Sequence, residues 1–132
     1  VLANPEASLG MKMIELSKLA NIHLNHFPKH EKYGLCQTIR AAMYDLFELI
    51  VECQKRYHKK TTLTQLDIRH EQLRMLFRLA HEMGYFSYHN GKSSRSEAES
   101  ARRYMAVSIL INEVGAMIGG WIKHDLQPRE SH

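Results

Sequence analysis

The sequence predicts an all-α fold, an antiparallel four-helix bundle, on three observations. Apolar residues recur in steps of three and four along four long segments, turn chemistry separates those segments, and no segment alternates as a half-buried strand would. No internal repeat with a period of about 20 to 50 residues points to a solenoid instead. At 132 residues the chain has the length of a single domain that can bury its own core.

The first helix is expected from about Pro5 to His26, with Met13, Leu16, Ala20 and Leu24 at helical spacing. It ends at "HFPKH", because Pro28 drives Phe27 out of the helical region. The second runs from Lys32 or Gly34 to Tyr57 on the stripe Leu35, Ile39, Ala42, Leu46, Leu49 and Cys53, and "HKKTT" closes it with cations that suit the helix dipole. The third begins at "TTLTQ", where Thr61, Thr62 or Thr64 can cap and Thr64 to Asp67 has capping-box spacing. Its inward face is Leu66, Leu73, Leu76, Phe77, Ala80 and Met83, and Gly84 is its stop. The segment "YFSYHNGKSSRSEAES", with an Asn-Gly turn signal, reads as the longest irregular and most mobile part, spanning 85–95 before the fourth helix. That helix runs from about Ser96 to Asp125, and Pro128 marks a frayed tail over 126–132.

Composition narrows the function classes. Hydrophobic residues make up 44% and charged residues 24%, which excludes disorder. No apolar run approaches the roughly 20 residues of a membrane span. "VLANPEASLGMKMIELSKLA" has no basic region followed by an apolar core, so no secretory signal is expected in it. Cys36 and Cys53, 17 positions apart on one predicted helix, would lie about 25 Å apart, beyond disulfide reach. They read as reduced, semi-buried residues, in keeping with a cytoplasmic protein. Net charge is +4, a basic excess that suits nucleic acid without requiring it.

The fourth helix carries more apolar surface than one core needs. One stripe holds Ala101, Met105, Ser108, Ile111, Gly115, Ile118 and Ile122; a second holds Val107, Leu110, Val114, Met117 and Trp121. A helix apolar over most of its circumference is buried on more than one side. Each interior glycine costs about 0.5 to 1 kcal/mol relative to alanine, yet "NEVGAMIGGWIK" contains three. Ser108, Asn112, Gly115 and Gly119 form a row of small side chains that lets a neighbouring backbone approach closely. The neighbour is a helix of the same chain or another subunit, with a ligand or a backbone kink as the remaining reading, and Trp121 is either a core residue or an interface anchor.

"ILINEVGAMIGGWIK" resembles the last-helix signature of the accessory variability determinant proteins of diversity-generating retroelements. These belong to a wider group of four-helix bundles that includes proteins encoded in intervening sequences of bacterial 23S ribosomal RNA genes. "HFPKHEKYGLCQTIRAAMYDLFELIVEC" and "LTQLDIRHEQLRMLFRLAHEMGYFS" are similar too, so the resemblance covers roughly residues 12 to 124. The connection "SYHNGKSSRSEAES" departs from it, being longer and more polar than usual. The resemblance implies a non-enzymatic protein without cofactors that assembles as a barrel-like homopentamer. Its partners would be the element's reverse transcriptase and nucleic acid, RNA and possibly DNA. Its role would be support of mutagenic cDNA synthesis and retrohoming. The alternative is a bundle of the intervening-sequence type, structural or RNA-associated, with no reverse transcriptase partner.

Candidate nucleic-acid contacts are the basic clusters. "QKRYHKK" supplies Lys55, Arg56, Lys59 and Lys60 with Tyr57 and His58 between them, a pattern that suits phosphate with stacking or a solvated helix end. Arg69, Arg74 and Arg78 lie on the third helix near Glu71 and Glu82, which can neutralise them. Arg102 and Arg103 follow the acidic "SEAESA", and Lys123 sits at a helix C-terminus where cations belong anyway. Enzyme readings find no support. There is no Glu-x-x-His pair for a di-iron site, and "RHEQLR" and "AHEMGY" lack the second histidine of a zinc protease helix. His23, His26 and His30 are the only ligand-like histidines, and no cysteine or carboxylate completes a metal set. Cys36 has no activating motif, and no glycine loop opens a helix towards phosphate.

Overall fold

The computed structural model describes residues 5–126; Pro128 and the rest of the tail beyond Leu126 lie outside them. Four helices form the bundle: α1 (Pro5–Leu24), α2 (Leu35–Lys55), α3 (Lys60–Glu82) and α4 (Glu97–Asp125). Each packs on its two neighbours in the order α1, α2, α3, α4 and back to α1, so the α1–α4 and α2–α3 seams lie on opposite sides of a square. All of α1's predicted core positions, Met13, Leu16, Ala20 and Leu24, are buried.

Periodicity placed the helices correctly and their buried faces less so. On α2 the sealed stripe is Cys36, Ile39, Met43, Leu46, Ile50 and Cys53. Leu35, Ala42 and Leu49 are half-buried flanks, because a residue one position away still lies about 100° round a helix. Cys36 and Cys53 are fully buried rather than semi-buried. On α3, Met83 is exposed, while Thr62 and Leu63 are buried.

None of the threonines caps α3. It starts at Lys60 with Lys59 as cap residue and no side-chain cap bond, and Thr64 sits inside, its hydroxyl donating to the Lys60 carbonyl at 3.0 Å. Lys59 instead serves the preceding helix. Its ammonium donates to the carbonyls of Cys53 (2.6 Å), Arg56 (2.6 Å) and Gln54 (3.3 Å), satisfying groups that the end of α2 leaves open. The same ammonium lies 5.8 Å from the Trp121 ring centroid, so one lysine ties three helices together.

The connection before α4 corrects the sequence reading most. Gly84, at φ 80°, ends α3 in the left-handed region that only glycine enters freely. A 3-10 turn, Tyr85–Ser87, and a hairpin follow, β1 (Tyr88–His89) pairing antiparallel with β2 (Lys92–Ser93). Asn90 and Gly91, both at positive φ, make the tight turn their dipeptide favours. Phe86 and Tyr85 are buried against Phe27. The Tyr85 hydroxyl donates to Glu31 at 2.5 Å, and the same carboxylate accepts from the Leu35 amide that opens α2.

On α4, Ser96 caps by accepting from the Glu99 amide. The two predicted stripes merge into one sealed face of Val107, Leu110, Ile111, Val114, Ile118 and Trp121. Met105, Ile109, Asn112 and Gly119 face outward. By length and composition α4 is apolar enough to cross a membrane, with a mean hydropathy of 1.5 over its most apolar 18 residues. This corrects the expectation from unbroken runs. In the bundle it packs along α1 and α3, and its Glu113 pairs with Lys12 of α1 at 2.7 Å.

Candidate nucleic-acid interface

The small-residue row on α4 does not form one groove. Gly115 faces α3: a Cβ there would stand 2.5 Å from Cε1 of His70. The His70 ring needs that space because its Nε2 lies 2.8 Å from the Ile111 carbonyl. Gly115 therefore serves an intrachain contact. A Cβ on Gly119 or Gly120 would meet nothing within 4 Å, Asn112 is exposed and Ser108 half-buried. Trp121 is buried in the chain's own core.

The basic candidates divide by what surrounds them. Arg56 pairs with Glu52, Arg69 with Asp45, Arg74 with Glu71 and Arg78 with Glu82. Glu71 raises the Arg74 pKa and is itself held below the ordinary carboxylate range by it. These four arginines offer a phosphate little uncompensated charge. Lys59 is occupied at the end of α2. Among the described residues, Lys55, Lys60, Arg102, Arg103 and Lys123 have no carboxylate within ion-pairing distance. Lys55 and Lys60 flank the α2–α3 turn, and Lys123 follows Trp121 at the same end of the bundle. Arg102 and Arg103 lie towards the other end.

That other end holds basic groups that the sequence reading did not assign to nucleic acid. His26 follows α1, and Lys29 opens the 3-10 turn Lys29–Glu31. The hairpin brings His89 and Lys92, and Arg95 leads into α4. His26 and His89 stack with ring centroids 4.5 Å apart and planes 20° from parallel. His26 Nδ1 accepts the Asn90 amide at 3.1 Å, and its carbonyl accepts the Gly91 amide at 3.1 Å. Arg95 approaches His89 Nδ1 at 2.9 Å. The Lys29 stem passes where a Gly91 side chain would stand. Burial pushes the His26 pKa down, and His89, Arg95 and Arg103 push it further the same way. The Asn-Gly turn was the legible signal; what it could not show was which helix end the tip would reach.

His23, His26 and His30 do not converge. His23 is buried edge-on to Phe86, and His30 packs edge-on to Tyr85. Among the described residues no group of three or more His, Cys, Asp or Glu is placed to hold a metal ion.

A family model described as bAvd-like matches residues 10–124, nearly the whole bundle. No curated protein and no solved structure matches the chain.

Proposed function

The chain belongs to the bAvd-like family, and from that premise we propose that it is a non-enzymatic accessory protein of a diversity-generating retroelement. In this reading it binds the element's reverse transcriptase and nucleic acid in the cytoplasm and supports mutagenic cDNA synthesis and retrohoming. The family match over residues 10–124 is the observation that carries it. The surface chemistry agrees. Self-assembly would take up the apolar side chains left exposed along the outer seams, so a further protein partner would meet charged faces, where complementary charge gives on-rate and specificity more than area does. The α3 face offers Arg69, Arg74 and Arg78 set among Asp45, Glu71 and Glu82.

Self-assembly as a barrel-like homopentamer belongs to the same proposal. Exposed apolar side chains lie along both outer seams: Met11, Ile14 and Ile22 beside α4, and Ile68, Met75 and Leu79 on α3. Two different sticky faces on opposite sides of a protomer join head to tail, and such contacts close into rings when the rotation between protomers closes.

The test is reconstitution. The cognate reverse transcriptase should co-purify with this protein at moderate salt, and charge reversal at Arg74 or Arg78 should weaken the complex. Synthesis of cDNA on the element's template RNA should depend on its addition. No complex, and equal synthesis with and without it, would sink the reading. A gene position inside a ribosomal RNA operon, with no reverse transcriptase gene beside it, would put the intervening-sequence role in its place.

A further inference from the structure

We propose that the corner formed by His26, Lys29, the 88–93 hairpin, Arg95 and Arg103 binds single-stranded nucleic acid, cations holding successive phosphates and the outer face of His89 stacking one base. The inference rests on the nucleic-acid part of the function proposed above and assigns that part a place. Three observations carry it.

First, charge here lacks the neutralisation seen on α3. Among the described residues Lys29, Lys92, Arg95 and Arg103 have no carboxylate at ion-pairing distance, whereas Arg56, Arg69, Arg74 and Arg78 each have one. The nearby acids are Glu97 and Glu99 in the first turn of α4, of which Glu99 acts on Arg95, and Glu31, which is engaged by Tyr85 and the Leu35 amide. Second, the cations come from three separate segments gathered at one end of the bundle: Lys29 after α1, Lys92 on the hairpin, and Arg95 and Arg103 at the start of α4. A small anion would reach one or two of them; an extended polyanion can reach all, releasing counterions at each phosphate. Third, His89 is exposed and its inner face is already backed by His26 at 4.5 Å. A planar ring held in place from behind is a platform for an unpaired base, a mode of binding that tolerates sequence. The hairpin is what puts these groups together. Asn90 and Gly91 fix its tip on His26, and Arg95 lies against His89.

The experiment measures wild-type binding of labelled single-stranded RNA and DNA oligonucleotides of one sequence across a salt series at pH 7.5. Two charge-neutralised variants are compared: Lys29→Gln/Lys92→Gln/Arg95→Gln at this corner, and Lys55→Gln/Lys60→Gln/Lys123→Gln at the opposite end. The corner variant should lose about 2 in the slope of log affinity against log salt, at roughly 0.7 per phosphate contact on a single strand. His89→Ala should weaken binding about tenfold with the slope unchanged, since a stacked base adds affinity without a phosphate contact. Equal losses on RNA and DNA fit contacts to phosphate and base. Binding whose slope falls only in the opposite-end variant overturns this inference and leaves the nucleic-acid reading standing. Wild-type protein that binds neither oligonucleotide at low salt overturns both. Should the corner variant fail to fold, photocrosslinking of wild-type protein to a thiouridine-containing strand decides instead. Crosslinks within residues 85–103 support the site, and crosslinks confined to other peptides overturn it.

Discussion

Gly115 and His70 show how one missing side chain sets a helix contact. The glycine leaves room for an imidazole that reaches the Ile111 carbonyl at 2.8 Å, so filling the space displaces the ring. Gly115→Leu should cost about 1 to 3 kcal/mol as overpacking. In a His70→Ala background the same substitution should cost much less, because the obstructing atoms are gone. Urea unfolding of the four proteins of that cycle measures the coupling, and additive costs would show that the glycine serves another contact. His23 makes a different demand. Neither of its ring nitrogens has a partner among the described residues. Its pKa is pushed down from 6.5 to about 4, chiefly by burial and then by Arg103 and Arg95. The unfolded chain takes up that proton near pH 6.5, so the neutral ring's contribution is intact above pH 6.5 and is lost as pH falls towards 4. Complete protonation would remove roughly 3 kcal/mol. His23→Leu should therefore flatten the dependence of the urea midpoint on pH between 6.5 and 4. A mutant curve parallel to wild type would place the acid sensitivity elsewhere.

At the scale of elements, the α2–α3 junction depends on a side chain that propensity rules assign to solvent. Lys59 donates to three carbonyls at the end of α2 and lies over Trp121 of α4. Lys59→Met keeps the apolar stem and deletes the donors. It should lower stability by about 1 to 3 kcal/mol, the range for groups left unsatisfied or losing charged hydrogen bonds. Neighbouring Lys55→Met, on an exposed side chain with no such role, should change little. Equal thermal melts for the two variants would contradict the tie. The hairpin illustrates the same dependence on context. Two residues per strand cannot stand alone in water; this pair holds because Phe86 is buried at its base and His26 receives its tip.

For the whole molecule, the square arrangement leaves one apolar seam beside α1 and α4 and another along α2 and α3. The second includes Ala42, Met75, Leu76 and Leu79. If rings form by joining one seam to the other, Ile22→Glu and Leu79→Glu should each reduce the assembly to monomer. An equimolar mixture of the two variants should then form a heterodimer, because each retains one intact face. Light scattering distinguishes this from pairing of like faces, where each single variant would remain a homodimer through its untouched seam. Wild-type protein that stays monomeric at micromolar concentration would remove the ring altogether.

Four helices, their order and the principal breaks were legible because hydrophobic period, Pro28 and Gly84 act within a few residues of one another. The buried core of α1 could be read for the same reason, and so could the resemblance that the family match supports. What periodicity could not decide was anything turning on a neighbour from another element. It could not tell that Met43 and Ile50, rather than Ala42 and Leu49, are sealed on α2, a matter of some 100° of helix rotation set by α1 and α3. It could not separate Gly115, crowded by a histidine 45 positions away, from Gly119, which faces open space. Glu71 and Glu82 could be read as neighbours of Arg74 and Arg78, but the partner of Arg69 could not, since the Asp45 that answers it comes from another helix. Local sequence fixes which residues form each helix, because backbone hydrogen bonding and turn sterics are short-ranged. Which charges stay unpaired, and where they gather, depends on side chains that only the packed bundle brings within a few ångströms of one another.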